Sequence, residues 1–281
     1  MAPKVEIIQC YRVNVHPALL HDKLRKHSQE FLVKFIMGFF LLYLAQEVIP
    51  EFIGFFVPTT VADVIAHFEK GIDPVLLQRM PRMAVAGYIY AFLFTGVFNL
   101  GKALYCLTAI RSREVDYRAL FEGFTFYFKA LGMFIVETAM IAVWSMVFII
   151  PGIIVALNYS QAFYLLADNP DKNIFVCLGE SKLRMRGNRR MYIGYLISFL
   201  PYMIVGALPA ILGGFFLNIE PNTIGYTLVS LALNAPFFCA MGYVALGQCT
   251  FYELLMTGSF ANFKYKGQDV FREPIDMNQE N

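Results

Sequence analysis

KALGMFIVETAMIAVWSMVFIIPGIIVALNYSQAFYLLADNPDKNIFVCLGESKLRMRGNRR, residues 129–190, holds an uncharged run over 130–167 broken only by Glu137, followed by a basic segment ending in Arg189 and Arg190. The run's thirty-eight residues in one helix would reach about 57 Å at 1.5 Å per residue, nearly twice the ~30 Å of hydrocarbon in a bilayer. It must fold back on itself. The strongest break is Pro151-Gly152, because proline lacks a backbone donor and glycine permits a turn. Two antiparallel spans are expected around it, over 124–150 and 152–166.

The rest of the chain has the same character. Of 281 residues, 58% are hydrophobic and 16% charged, far from the composition of a soluble domain. Further uncharged runs cover 35–46, 83–101, 191–219 and 221–252. Backbone groups in lipid must pair internally, and long runs without period-2 alternation point to helices rather than barrel strands. The expectation is an all-α polytopic transmembrane bundle of six spans in three hairpins. The remaining spans are placed over 31–49, 82–110, 191–212 and 223–256, between an amphipathic N-terminal segment (1–30) and a tail (258–281). Pro201, Pro209 and Pro236 are expected to interrupt the last two spans, and a short helix is expected over 62–69.

Charge distribution sets the orientation. Arg111, Arg113, Arg118 and Lys129 fill one gap, and Lys172, Lys182, Arg184, Arg186, Arg189 and Arg190 crowd another. Short loops rich in Lys and Arg stay cytoplasmic. An even number of crossings between these gaps agrees with the turn at Pro151-Gly152, and Lys264, Lys266 and Arg272 put the C-terminus on the same side as the N-terminus. A net charge of +2 argues against nucleic acid as a partner. No cleavable signal peptide is evident, so the first span is expected to direct insertion.

Few residues offer chemistry. Glu137 lies eight residues beyond Lys129 inside an apolar span, where a charged carboxylate costs about 2.5–3.5 kcal/mol, so it should face the bundle interior. Asn158 and Gln161, on the other arm, are its expected partners, with Asn99 and Asn234 as further ones. Over 168–190, Ile174, Leu178, Ser181 and Met185 recur at helical spacing while Lys182, Arg184 and Arg186 lie largely off that stripe. Asn169-Pro170 offers a start and Gly187 a stop. Such a helix suits an interface, with its apolar face in the acyl boundary and Lys182, Arg184, Arg186, Arg189 and Arg190 near anionic headgroups. Plain topology signalling by the same charges is the alternative.

His16, His21 and His27 cannot share a metal on one helix, since His21 points about 140° from His16; solvated histidines are expected. The five cysteines show no CxxC pairing and read as reduced buried hydrophobes. No GxSxG, HExxH or GxxxxGK[ST] pattern is present, and no cofactor or metal is expected.

Four motifs carry a resemblance: LFEGF (120–124), IIPGI (149–153), YSQAFYLLADNP (159–170) and GESKLRMRGN (179–188). In order and spacing they resemble the bacterial integral-membrane family catalogued as domain of unknown function 975, and more distantly the membrane domain of some glycerophosphodiester phosphodiesterases. The resemblance implies a multi-pass protein of the bacterial cytoplasmic membrane, with no catalytic residue to carry over and an apolar residue where this chain has Glu137. The leading expectation is a non-enzymatic accessory or interaction module whose basic inner face contacts anionic lipid or a membrane-protein partner. The alternative is a small transporter or channel using Glu137, because proline-broken helices at membrane depth often line binding sites.

Overall fold

The computed structural model describes residues 11–12, 18, 21–22, 32–57, 59–68, 84–112, 114–216, 224–257 and 273–274. Apart from one two-residue pairing, Tyr11–Arg12 (β1) with Glu273–Pro274 (β2), the regular structure of these residues is helical. Six helical stretches are long and apolar enough to cross a bilayer: Val33–Gly54, Val85–Ser112, Arg118–Val147, Ile149–Asp168, Arg189–Gly214 and Leu228–Met256. Ile204, Val205 and Ile211 of the fifth are more than half exposed, which a soluble fold would not tolerate over so broad a face. This is a multi-pass helical membrane protein.

The first span comprises α1 (Leu32–Tyr43), a π-helical turn (Leu44–Val48) and α2 (Ile49–Phe56). Pro50 has no N–H to offer the preceding turn, which favours this widening. The Tyr90 hydroxyl donates to the Ala45 carbonyl there at 3.0 Å. The short helix α3 (Val61–Phe68) matches the expectation, and Thr60 and Asp63 cap its start reciprocally.

The central element is α4 (Val85–Ser112), the most buried span. It packs against α2, α5 (Arg118–Glu122), α6 (Tyr127–Val147), α8 (Ala162–Asp168) and α11 (Ile224–Thr257). Glycine permits the closest of these contacts. A Cβ at Gly123 would sit 2.6 Å from the Val97 carbonyl oxygen, and one at Gly101 would strike the Leu120 carbonyl. Small residues where helix backbones meet are how membrane helices gain packing without a hydrophobic drive between them.

The third and fourth spans divide at Phe148, which is extended (φ −156°, ψ 148°), and α6 packs along α7 (Ile149–Tyr159). The break thus precedes Pro151-Gly152 by three residues. Proline belongs in the first turn of the new helix, where its missing N–H costs nothing and its φ is already helical. A second break, which no proline announces, separates α7 from α8 at Ser160–Gln161. By contrast, Pro201 and Pro209 lie inside one continuous helix, α10 (Arg189–Phe216), and Pro236 inside α11. The expected proline breaks are absent, since neighbouring helices support a proline-containing span.

Three spans are tied at one end by a single guanidinium. Arg111 of α4 donates to both oxygens of Asp168 (2.5 and 3.0 Å) and to Glu253 of α11 (2.7 Å). The Tyr252 hydroxyl donates to Asp168 Oδ2 at 2.7 Å.

His21 departs from its expected solvated state. Its ring packs 4.3 Å from that of Phe199, and Nε2 lies 2.5 Å from the Ser198 hydroxyl. His16, His27 and most of the terminal segments lie outside the described residues. Cys106, Cys177 and Cys249 are buried as expected, whereas Cys239 is exposed on the outer face.

Candidate functional site

Glu137 of α6 faces inward, into a cavity of about 240 Å³. Four spans supply the walls. α4 contributes Asn99 and Lys102, α6 contributes Phe134, Glu137 and Ile141, the α7–α8 break contributes Ser160, and α11 contributes Gln248. Along the helix axes Lys102 lies about 13 Å from Arg111, and Glu137 and Ser160 about 12 Å from Lys129 and Asp168, at 1.5 Å per residue. The group therefore lies among the spans, about 12–13 Å by helix rise from charged residues near their ends.

Lys102 is the residue that the sequence reading passed over. Its Nζ donates to Asn99 Oδ1 at 3.2 Å, and it lines the same cavity as Glu137. The two are not among the ion pairs of the described residues, and Glu137 hydrogen-bonds to none of these residues. A signal was available, because Lys102 lies eight residues inside the span placed over 82–110; the run of uncharged residues was ended there instead.

Of the expected partners of Glu137, only Asn99 lines the cavity. Asn158 is engaged elsewhere: its Oδ1 accepts from Arg189 Nε at 2.7 Å and its carbonyl from the Ser181 hydroxyl at 2.6 Å. Gln161 follows the lining residue Ser160 but points into the protein. Its Nε2 donates to the Ser160 hydroxyl, and its Oε1 is buried without a partner among the described residues. Asn234 bonds within its own helix to Ser230.

The basic segment divides into paired and open cations. Helix α9 (Ile174–Met185) starts at Asn173, whose Oδ1 accepts from Phe175 N at 3.1 Å, and not at Asn169-Pro170; it ends before Gly187 at φ 79°. Leu178, Ser181 and Met185 are buried against the protein, so the stripe expected in the acyl boundary faces the core. Arg184 is buried and donates to Glu180 Oε1 at 2.8 Å, while Lys172 holds Oε2 at 2.8 Å. Arg184 and Arg189 are therefore structural. Lys182 is exposed on α9, as are Phe175 and Val176, while beyond its end Arg190 is exposed and Arg186 partly so.

Burial opposes ionisation of Glu180, but the hydrogen bonds from Lys172 and Arg184 outweigh it and hold the carboxyl below its ordinary value. No group of three or more His, Cys, Asp or Glu positioned to hold a metal occurs among the described residues.

Together these features define a class, the multi-pass helical membrane proteins with a polar pocket among their spans. No family model, curated protein or solved structure matches the chain. The resemblance thus stands on the four motifs alone.

The ionised Glu180 stabilises the fold fully above the unfolded carboxylate value near 4.3, and that contribution is lost as pH falls through the lower folded value. Glu180→Gln strands a buried guanidinium and should cost about 1–3 kcal/mol at pH 7, discounted from a fully buried pair. Thermal unfolding of both proteins should show this difference shrinking toward pH 3. A difference that stays constant with pH would contradict the ionic role.

Proposed function

We propose that the protein is a transporter of a small polar solute, which binds between Lys102 and Glu137. The observation that carries this reading is that one basic and one acidic side chain line a shared cavity among the spans. Each costs about 2.5–3.5 kcal/mol to place there on insertion scales, a cost that packing alone would remove by substituting an apolar residue. The α7–α8 break beside Ser160 adds to it, because interrupted helices at the midplane line solute sites. A volume below the roughly 300–1,000 Å³ of drug-sized pockets limits the solute to a compact one. In this reading the six spans form three hairpins with both termini cytoplasmic, in the bacterial cytoplasmic membrane.

Proteoliposomes offered a radiolabelled panel of an amino acid, a monocarboxylate, a primary amine and a sugar should take up at least one. Lys102→Met and Glu137→Gln should each lower that uptake by about tenfold or more, the worth of one charge-assisted bond. Uptake of none, or uptake indifferent to both changes, would remove the transport reading.

A second reading rests on the exposed residues of α9 and just beyond its end. We propose that Lys182, Arg186 and Arg190 contact anionic headgroups while Phe175 and Val176 enter the acyl boundary, each cation contributing about 1 kcal/mol. This narrows the basic inner face expected from sequence to three residues. Replacing those three by Gln should weaken retention of phosphatidylglycerol in native mass spectra, with cysteine labelling showing an unchanged orientation. Equal retention would count against this contact.

A further inference from the structure

The chemistry of the cavity also selects among solutes. Lys102 and Glu137 are a base and an acid of opposite ionised charge, and both line the cavity with no salt bridge between them among the described residues. Two opposite charges away from bulk water gain most by direct contact. Held apart, they leave space for a molecule that completes both. Asn99 occupies one of the three donor positions of the Lys102 ammonium, and the others are left for an acceptor. Glu137, which hydrogen-bonds to no described residue, leaves its carboxylate oxygens to a donor in the cavity.

We propose, building on the transport reading, that the solute is a small neutral amino acid bound as its zwitterion, carboxylate toward Lys102 and ammonium toward Glu137. A net-neutral ligand leaves the cavity neutral. An isolated carboxylate or amine would bring one uncompensated charge among the membrane spans, where burial of an unpaired ion is costly. The Gln248 amide, which also lines the cavity, offers both a donor and an acceptor to the same ligand. The volume of about 240 Å³ equals roughly eight waters at ~30 Å³ each, which admits glycine, alanine or proline.

The test compares L-alanine with propionate and ethylamine, each retaining one of its two charged groups. Binding to the purified detergent-solubilised protein is measured by calorimetry. Alanine should bind at least about tenfold more tightly than either analogue, in keeping with loss of one charge-assisted bond. Lys102→Met and Glu137→Gln should each abolish that preference. The double exchange Lys102→Glu with Glu137→Lys should restore part of it, since a zwitterion can reverse its orientation. If propionate or ethylamine binds as tightly as alanine through the same residues, the zwitterion is wrong and the solute site stands. If none of the three binds and the uptake panel is also negative, both readings fail. The comparison on unmodified protein decides the matter even where a variant does not fold.

Discussion

The arrangement of the cavity walls depends on the Arg111 guanidinium. It holds Asp168 with two hydrogen bonds and Glu253 with a third, joining the ends of the second, fourth and sixth spans. These three spans carry Lys102, Ser160 and Gln248. Arg111 suits the task because its planar fork offers donors in several fixed directions, which a lysine ammonium does not. Its own side chain is 43% exposed while its partners are nearly buried, so the cation keeps part of its hydration as the carboxylates lose theirs. The remaining wall, α6, is set by a different force. Gly96 of α4 lets the Ala130 backbone of α6 approach so closely that a Cβ would lie 2.5 Å from its carbonyl oxygen.

From this frame the polar interior follows. A bundle whose outer helices face lipid hides a charge by turning it inward, and helices pinned at one end and closely packed along α4 leave a space among them rather than a sealed core. Lys102 and Glu137 meet that space from adjacent helices. The break at Ser160–Gln161 opens the facing wall, and the unpartnered Gln161 Oε1 marks where the backbone departs from regular helix. Beyond the Asp168 end of the fourth span, the Ser181–Asn158 bond fastens α9 to α7, the Lys172–Glu180–Arg184 cluster ties α9 to the segment before it, and Arg189 joins α10 to Asn158. That leaves Lys182, Arg186 and Arg190 to the surroundings.

Six spans were legible from the sequence because hydrocarbon thickness fixes the length of an apolar run. The inward turn of Glu137 was legible because an unshielded carboxylate cannot face lipid. What failed was the use of proline as a universal break. Pro151 starts a helix, Pro201, Pro209 and Pro236 sit within helices, and the break that matters, Ser160–Gln161, carries neither proline nor glycine. Lys102 was overlooked because counting uncharged residues ends a run at a charge, even where the helix continues a further ten residues to Ser112. In α9 the apolar stripe was correctly spaced but assigned to lipid, since periodicity identifies a buried face without naming what buries it. The Glu180–Arg184 spacing of four was the available sign that Arg184 is paired.

The central claim is that Lys102 and Glu137 line one shared cavity between the second and third spans. The most direct measurement places cysteines at both positions, in a protein whose five native cysteines are replaced, and treats membranes with a short bifunctional thiol reagent. An intramolecular cross-link that joins the second span to the third is the expected result. Cysteines that each react with a monofunctional reagent yet never join would contradict the cavity and the function built on it.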